Sequence, residues 1–414
     1  GVGGVVMQAH CNNELWGLAA HPHRPEYATV GDDKTLRFFS VHARRQIACV
    51  TLGAIARTCD YSPDGKLLAV GFGGRVGRGK EKGGGLLHVY TSDPHDAKGV
   101  RRLDERRDAK EWISDVKFSA DSRTLAVGAH DCKIYIYDVQ QGGTLKPRST
   151  FSQHNSVINH LDLSADGRFM QSNCSAYELL FCDTTSGKQL TSASELRDVK
   201  WASWTCTLGW PVQGIWAGGM DGSDINAVCR SHSGHLVATA DDLGRVNLLR
   251  YPAVTAGARA ISYAAHSSHV MNVRWTAADE CLVSCGGNDK CVMQWRHSMA
   301  DISAGVGVGV GNDEDLGMDV GGLELEGLEL LGPPGGGDES GAVKPWLGAI
   351  RAPKNPPPVG GTAPNAQLDL QWVHGYTSAS AGKHRVGANL YYNADKNPVY
   401  PAAALGVLLS RSKG

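Results

Sequence analysis

A pattern of alternating apolar residues, an Asp-containing turn and a closing aromatic recurs along residues 9–297, and this recurrence limits the fold more than any other feature. The last copy is the clearest: His266, then Val270-Met-Asn-Val-Arg-Trp275, Cys281-Leu-Val-Ser284, Asn288-Asp289-Lys290 and Cys291-Val-Met-Gln-Trp295. In that order His266, Ser284, Asp289 and Trp295 can link by hydrogen bonds across three strands and satisfy polar groups that a sheet interior would bury. The first copy repeats the set as His10, Leu15-Trp-Gly-Leu-Ala, Thr29, Asp33 and Leu36-Arg-Phe-Phe39, with Phe39 in the Trp position. A third has Asp131 before Ile134-Tyr-Ile-Tyr-Asp138, and a fifth has Asp242 before Val246-Asn-Leu-Leu-Arg-Tyr251. The fourth is worn, with His154 and Ser172 in place, Ala176 where Asp is expected and Cys182 in an aromatic slot.

Asp131 to Ala176 is 45 residues, Asp242 to Asp289 is 47, and Asp33 to Asp131 spans two units of 49. This is the period of a four-strand blade, so residues 1–300 read as an all-β, WD40-type β-propeller of about six to seven atypical blades. The longer gap from Ala176 to Asp242 implies an insertion of roughly 20 residues beyond that period. It is centred on Trp204-Thr-Cys-Thr-Leu-Gly-Trp210; Trp204, Trp210 and Trp216 are expected to pack in the core. A single blade cannot bury both faces of its sheet, so copies must stack around a channel. His10, Thr29, Asp33, Asp131, His154, Asp242, His266, Ser284, Asp289 and Trp295 are therefore expected to be blade-network residues with no catalytic part.

After Trp295 the composition shifts to a Gly-rich, acidic stretch over 301–343, which reads as a linker. Within it Leu323-Glu-Leu-Glu-Gly-Leu-Glu-Leu-Leu331 could dock as a short strand or helix. From Lys344 the chain is expected to form a small β-rich segment over 344–414, dense in aromatics: Trp346, Trp372, Tyr376, Tyr391, Tyr392 and Tyr400. So short a segment shows no core of its own and is expected to bury these rings on a partner surface.

The 41 basic and 42 acidic residues balance, so no global field recruits nucleic acid or an anionic membrane. No run of eighteen apolar residues points to a bilayer span. The eleven cysteines lack a C-x-x-C pair, and without a signal peptide they read as reduced thiols; Cys281 and Cys285 lack a second pair at zinc spacing. The chain begins without Met inside an apparent strand, which suggests a piece of something longer.

Gly74-Arg-Val-Gly-Arg-Gly79-Lys80 meets most of a phosphate-loop pattern, but Glu81 stands where Ser or Thr would hold Mg²⁺, and a strand is expected next. No enzyme, cofactor, metal or small-molecule substrate is therefore expected. Two basic clusters remain as candidate contacts with an acidic partner: Arg75, Arg78, Lys80 and Lys82, and Arg101, Arg102, Arg106 and Arg107, both read as solvated loops.

The chain resembles the echinoderm microtubule-associated protein-like family. In the tail the resemblance rests on Lys344-Pro-Trp-Leu-Gly-Ala-Ile350, Trp372-Val-His-Gly-Tyr376, Arg385, Asn389-Leu-Tyr-Tyr-Asn393, Val399-Tyr400 and Ala404-Leu-Gly406. In the repeats it rests on Glu14-Leu-Trp-Gly-Leu-Ala-Ala-His-Pro22, Ser175-Ala-Tyr-Glu-Leu-Leu180, Asp221-Gly-Ser-Asp-Ile-Asn226 and His266-Ser-Ser-His-Val270. The resemblance implies the second propeller of a tandem pair, followed by the hydrophobic signature motif that begins the next unit, as in long members with several units. It implies a non-enzymatic, structural protein of the cytoplasm and cytoskeleton that binds tubulin and microtubules, with other axonemal or cytoskeletal proteins as further partners and a ciliary axoneme as the site. A general propeller scaffold for signalling or ubiquitin-ligase assembly is the alternative, but such a scaffold would not need the Lys344 to Gly406 motif.

Overall fold

The computed structural model describes residues 7–76, 79–80, 83–216, 224–299, 345–359, 362–376 and 390–409. Each copy of the repeat pairs as its alternation demands, giving six four-stranded antiparallel sheets among the described residues. The inner strands are Leu15–Ala20, Ala56–Tyr61, Ile113–Phe118, Ile158–Leu163, Ile225–Arg230 and Val270–Trp275. The second strands Glu26–Gly31, Thr124–Ala129, Leu236–Asp241 and Cys281–Gly286 are buried at every position, and those of the second and fourth blades at all but the first, because both faces of a blade are covered by its neighbours.

The Asp-containing turn has a backbone reason to recur. The residue after it is left-handed in four blades, at Lys34, Cys132, Tyr177 and Lys290, and the fifth blade places Gly244 there at φ 78°.

Inner strands contact their neighbours from the first blade to the fourth, the fifth contacts the sixth, and the sixth contacts the first. The first and sixth blades share one core, in which Leu15, Leu18, Tyr27 and Phe39 pack with Cys281, Val283, Cys285 and Val292. Each such side chain, fully withdrawn from water, is worth roughly 1.5–3 kcal/mol if large.

Between the fourth and fifth blades lies the insertion, and it is a wedge. Asp162 of the fourth inner strand accepts the backbone N–H groups of Thr205 at 2.8 Å and Cys206 at 2.9 Å. Asp60 and Asp115 accept Phe118 N–H and Leu161 N–H from the next inner strand in the same manner. Thr205 and Cys206 thus stand where another blade's inner strand would be. Trp204, Val212 and Ile215 then pack on Ile225, Val228 and Val237 of the fifth blade.

The outer strand of the sixth blade comes from the tail. Ala366–His374 pairs antiparallel with Val292–Met299, although residues 300–365 separate them in sequence. A strand expected to belong to a following unit therefore completes this chain's own propeller. The last described element is a three-stranded sheet of Tyr391–Tyr392, Pro398–Ala402 and Leu405–Leu408. The segment Leu323 to Leu331, with its expected docking, lies outside the described residues.

Candidate functional site

Every inner strand breaks register at the same place, between Leu15 and Gly17, Ala56 and Thr58, Ile113 and Asp115, Ile158 and His160, Ile225 and Ala227, and Val270 and Asn272. The skipped residues are Trp16, Arg57, Ser114, Asn159, Asn226 and Met271. A bulge leaves one residue unpaired and re-aims its side chain. All six line a single cavity of about 320 Å³ bounded by the six inner strands.

Arg57 organises one side of this cavity. Its guanidinium carbon lies 4.1 Å from the Trp16 ring centroid and 5.1 Å from that of Trp112, a double cation–π contact. Arg57 Nε donates to the Gly73 carbonyl at 2.9 Å, and Nη1 lies 2.8 Å from Asp32 Oδ1. Gly73 sits at φ 129° with the Trp112 Cβ only 2.2 Å from where its own Cβ would be, so no side chain fits. Trp112 also packs on His130, with centroids 4.1 Å apart; burial first, then the Arg57 charge, pushes His130 down to about 4, so it is neutral at pH 7.

Deeper charges are matched. Lys117 Nζ lies 3.2 Å from Asp115 Oδ1, and burial pushes the nearby Asp60 up to about 6. His160 Nε2 lies 2.9 Å from the Asn226 carbonyl, which can only accept, so Nε2 carries the hydrogen. Burial lowers His160 to about 4, so Nδ1 is a bare acceptor. Trp16 Nε1, His160 Nδ1 and Asn272 Oδ1 are buried with no hydrogen-bond partner among the described residues.

The blade-network residues fall into distinct arrangements. In the sixth blade His266 Nδ1 meets Asp289 at 2.9 Å, His266 Nε2 meets Ser284 at 2.8 Å, and Trp295 Nε1 donates to Ser284 at 2.8 Å. In the first, His10 joins Asp33 at 2.9 Å and Thr29 at 2.8 Å. Asp131 instead accepts from the Tyr135 hydroxyl at 2.7 Å and Lys110 N–H at 2.9 Å.

Two positions differ from expectation. In the fourth blade His154 reaches Ser172 at 2.7 Å, and the acidic corner is supplied by Glu178 at 3.3 Å, two residues beyond Ala176 and with a longer side chain. In the fifth blade the turn position holds Leu243, which is 74% exposed. Asp242 bonds Asn226 Nδ2 at 2.7 Å, while Asp241 receives the turn N–H groups of Leu243 and Arg245.

His154, Cys174 and Glu178 have ligand atoms within 4.8 Å of one another, the one such cluster among the described residues. All three already bond one another or Ser172 within the blade network, which accounts for the grouping.

The basic clusters are only partly loops. Arg75–Val76 and Gly79–Lys80 form a two-residue hairpin following Gly74; Arg78 and Lys82 lie outside the described residues. Arg102–Arg106 is the outer strand of the second blade, where alternation between solvent and sheet sets the side chains. Arg101 pairs with Asp96 at 3.3 Å, Arg102 with Glu105 at 2.7 Å and Arg106 with Asp104 at 3.2 Å, while Arg107 is exposed.

The tail aromatics divide. Trp346 is buried against Leu179 and Leu208, and Tyr400 joins the core of the fifth and sixth blades, so both bury on this chain and need no foreign surface. Trp372 is half-buried under the Arg44 guanidinium at 5.8 Å. Tyr376, Tyr391 and Tyr392 are 39%, 65% and 59% exposed.

Four-stranded sheets around a polar axis, the sixth tied by a His–Ser–Asp–Trp network and the first and fourth by variants of it, define a WD40-type β-propeller. Residues 15–297 match the family model described as the echinoderm microtubule-associated protein second beta-propeller, and residues 363–407 match the HELP motif. The chain belongs to the echinoderm microtubule-associated protein-like family. It is 40% identical over 293 residues to echinoderm microtubule-associated protein-like 2 of Homo sapiens, covering 70% of this chain and 43% of that protein. It is 38% identical over 292 residues to echinoderm microtubule-associated protein-like 1 of Rattus norvegicus, covering 70% and 34%. The chain thus spans less than half the length of these relatives. Among solved structures, Sqt1 of Saccharomyces cerevisiae is similar at a TM-score of 0.48 and 14% identity, over 70% of this chain and 84% of that one.

Proposed function

We propose that this chain is a structural microtubule-associated module that binds tubulin through propeller surfaces. The observation that carries the reading is that both family matches, the propeller and the HELP motif, fall on one folded unit, joined where Ala366–His374 enters the sixth blade. The second-blade outer strand, with Arg101, Arg102 and Arg106 and the exposed Arg107 beside it, is the proposed charged contact, together with the Arg75 to Lys82 stretch. Because three of these arginines already hold acidic neighbours, binding through them exchanges one set of ion pairs for another and is salt-sensitive.

Action in a ciliary axoneme belongs to the same proposal, as does a tandem arrangement in which exposed Tyr391 and Tyr392 face a following unit. Co-sedimentation with microtubules over a salt series tests the central claim. Arg102→Glu with Arg107→Glu is expected to weaken pelleting and flatten its salt dependence. Pelleting that is absent, or that ignores both salt and these changes, overturns the reading. Localisation of the tagged protein in ciliated cells tests the axonemal part.

A further inference from the structure

A second cavity, of about 390 Å³, lies between the fourth and fifth blades, where the wedge faces the tail. Its walls are the rings of Phe181, Trp201, Trp204, Trp210 and Tyr251, with Ala349, Ile350 and Pro357 of the tail along one side. Phe181, Trp201 and Trp204 form a run of rings with successive centroids 6.2 and 6.4 Å apart. The tail is held there by Trp346, buried against Leu179, and by Lys354 N–H, which donates to Asp198 at 2.8 Å. The proposed tubulin contact lies on the second blade and uses none of these residues. Small-molecule sites run from about 300 to 1,000 Å³, so a cleft near the lower limit suits a compound of about two rings.

The polar part of the lining has one sign. Arg197, Lys200, Arg230 and Arg351 contribute to it and no carboxylate does. Lys200 and Arg351 are exposed and have no ion pair among the described residues, while Arg230 donates to the carbonyls of Trp201 at 2.9 Å and Ala202 at 3.1 Å. The acids close by are already engaged. Asp198 is shared by Arg197 at 3.8 Å and Lys354 at 3.7 Å, and Asp162 is spent on the backbone of Thr205 and Cys206 and on the Ser203 hydroxyl. Arginine and lysine only donate hydrogen bonds. Of the lining side chains able to accept one, Gln171 is buried with its amide on Asp162 at 3.4 Å, and the Tyr251 hydroxyl meets Arg230. A peptide would bring N–H donors that these side chains leave unmet, and an inorganic anion would leave the rings uncovered. An apolar, flat body carrying an acceptor-only anionic group matches both the walls and the charges.

We propose that this lateral cleft is a binding site for a small aromatic carboxylate, its rings against Trp201, Trp204 and Trp210 and its carboxylate among the cationic groups of Arg197, Lys200, Arg230 and Arg351. The insertion between the fourth and fifth blades supplies the indoles and the tail closes the opposite wall, so the site belongs to the assembled propeller and to neither part alone. It stands on the cleft and is independent of microtubule binding.

The test titrates the full chain calorimetrically with naphthaleneacetate, its neutral amide naphthaleneacetamide, and acetate. Naphthaleneacetate is expected to bind, the amide to bind about tenfold more weakly or worse, and acetate to give no heat, because the first alone offers both rings and charge. Lys200→Glu with Arg351→Glu reverses two exposed cations and is expected to weaken naphthaleneacetate by about tenfold or more while leaving the amide unchanged. Ala193→Trp places a ring in the cleft from its helical wall and is expected to abolish binding of both. Thermal melting without ligand checks that each variant folds. A synthetic peptide of residues Leu323 to Leu331, acidic and rich in leucine, serves as competitor. No binding of naphthaleneacetate, equal affinity for the amide, or affinity unchanged in folded variants overturns the proposal. Displacement by the peptide at a lower concentration than naphthaleneacetate itself requires also overturns it, by assigning the cleft to an acidic segment of chain.

Discussion

The Gln294 side-chain amide donates to the Tyr27 hydroxyl at 2.9 Å across 267 positions of sequence. The bond crosses the seam between the sixth and first blades, where Tyr27 stacks on Phe39 at 5.2 Å and His374 of the tail strand packs on Phe39 at 4.6 Å. Ring closure therefore joins residues from both ends of the propeller and from the tail. Tyr27→Phe keeps the ring and takes the shorter of the two partners of the Gln294 amide, whose other contact is His374 Nε2 at 3.4 Å, and is expected to cost about 1–3 kcal/mol in urea unfolding. An unchanged midpoint would show that the seam does not depend on this bond.

A chain ending at residue 343 loses the strand that covers Val292–Met299. Ala366, Leu368 and Val373 leave the core with it, and so do Trp346 and Tyr400. Each large side chain lost is worth roughly 1.5–3 kcal/mol, so a drop of several kcal/mol is expected. The uncovered strand edge should also promote association, visible by light scattering. A truncated chain that melts like the full one and stays monodisperse would contradict the pairing.

The acidic corner of the fourth blade predicts an asymmetry between two substitutions. Glu178→Ala strips His154 Nδ1 and Asn155 N–H of their acceptor and is expected to destabilise by about 1–3 kcal/mol. Leu243→Asp restores the repeat's consensus letter in the fifth blade, yet among the described residues no histidine bonds that turn. Its effect should stay within about 0.5 kcal/mol, as at ordinary surface positions. Chemical denaturation of both variants separates a network read from geometry from one read from the repeat pattern.

Burial lowers His374 from 6.5 to about 3. Between those values the unfolded chain binds a proton at this position and the folded chain does not, so its stabilising contribution is complete above about 6.5 and declines as pH falls toward about 3. His130 and His160, each lowered to about 4, act in the same direction; Asp60, raised to about 6, opposes them by taking up a proton in the fold. The urea midpoint of the intact chain is expected to fall from pH 7 to pH 4. In His374→Leu the slope should be shallower, and equal slopes would place His374 in contact with solvent.

Much of this architecture was legible because blade strands obey short-range rules. The Asp spacing, the His266 to Trp295 set and the apolar alternation each depend on residues within one sheet. The axis was harder to read, although it leaves a trace. Buried apolar residues stand three apart at Leu15 and Leu18, Ile113 and Val116, and Val270 and Val273, and that phase slip is the mark of the bulge. Trp16, Arg57 and Asn272 fall inside the slip, where a period of two predicts the wrong face. Glu178 was hidden because a longer side chain can reach the corner from a different position. The tail strand was hidden because pairing across residues 300–365 leaves no local signal, and aromatic density alone does not say whose surface covers the rings. The Arg102–Arg106 strand carries four charged residues in five, which reads as solvent-exposed loop until its place at a sheet edge is known.

The register break at the head of each inner strand has a consequence for how such a molecule can diversify. Six unpaired positions, occupied here by tryptophan, arginine, serine, two asparagines and methionine, project inward without interrupting the hydrophobic layers on either side. Chemistry at the hub can be rewritten one letter at a time while the apolar layers of the surrounding spokes keep their packing.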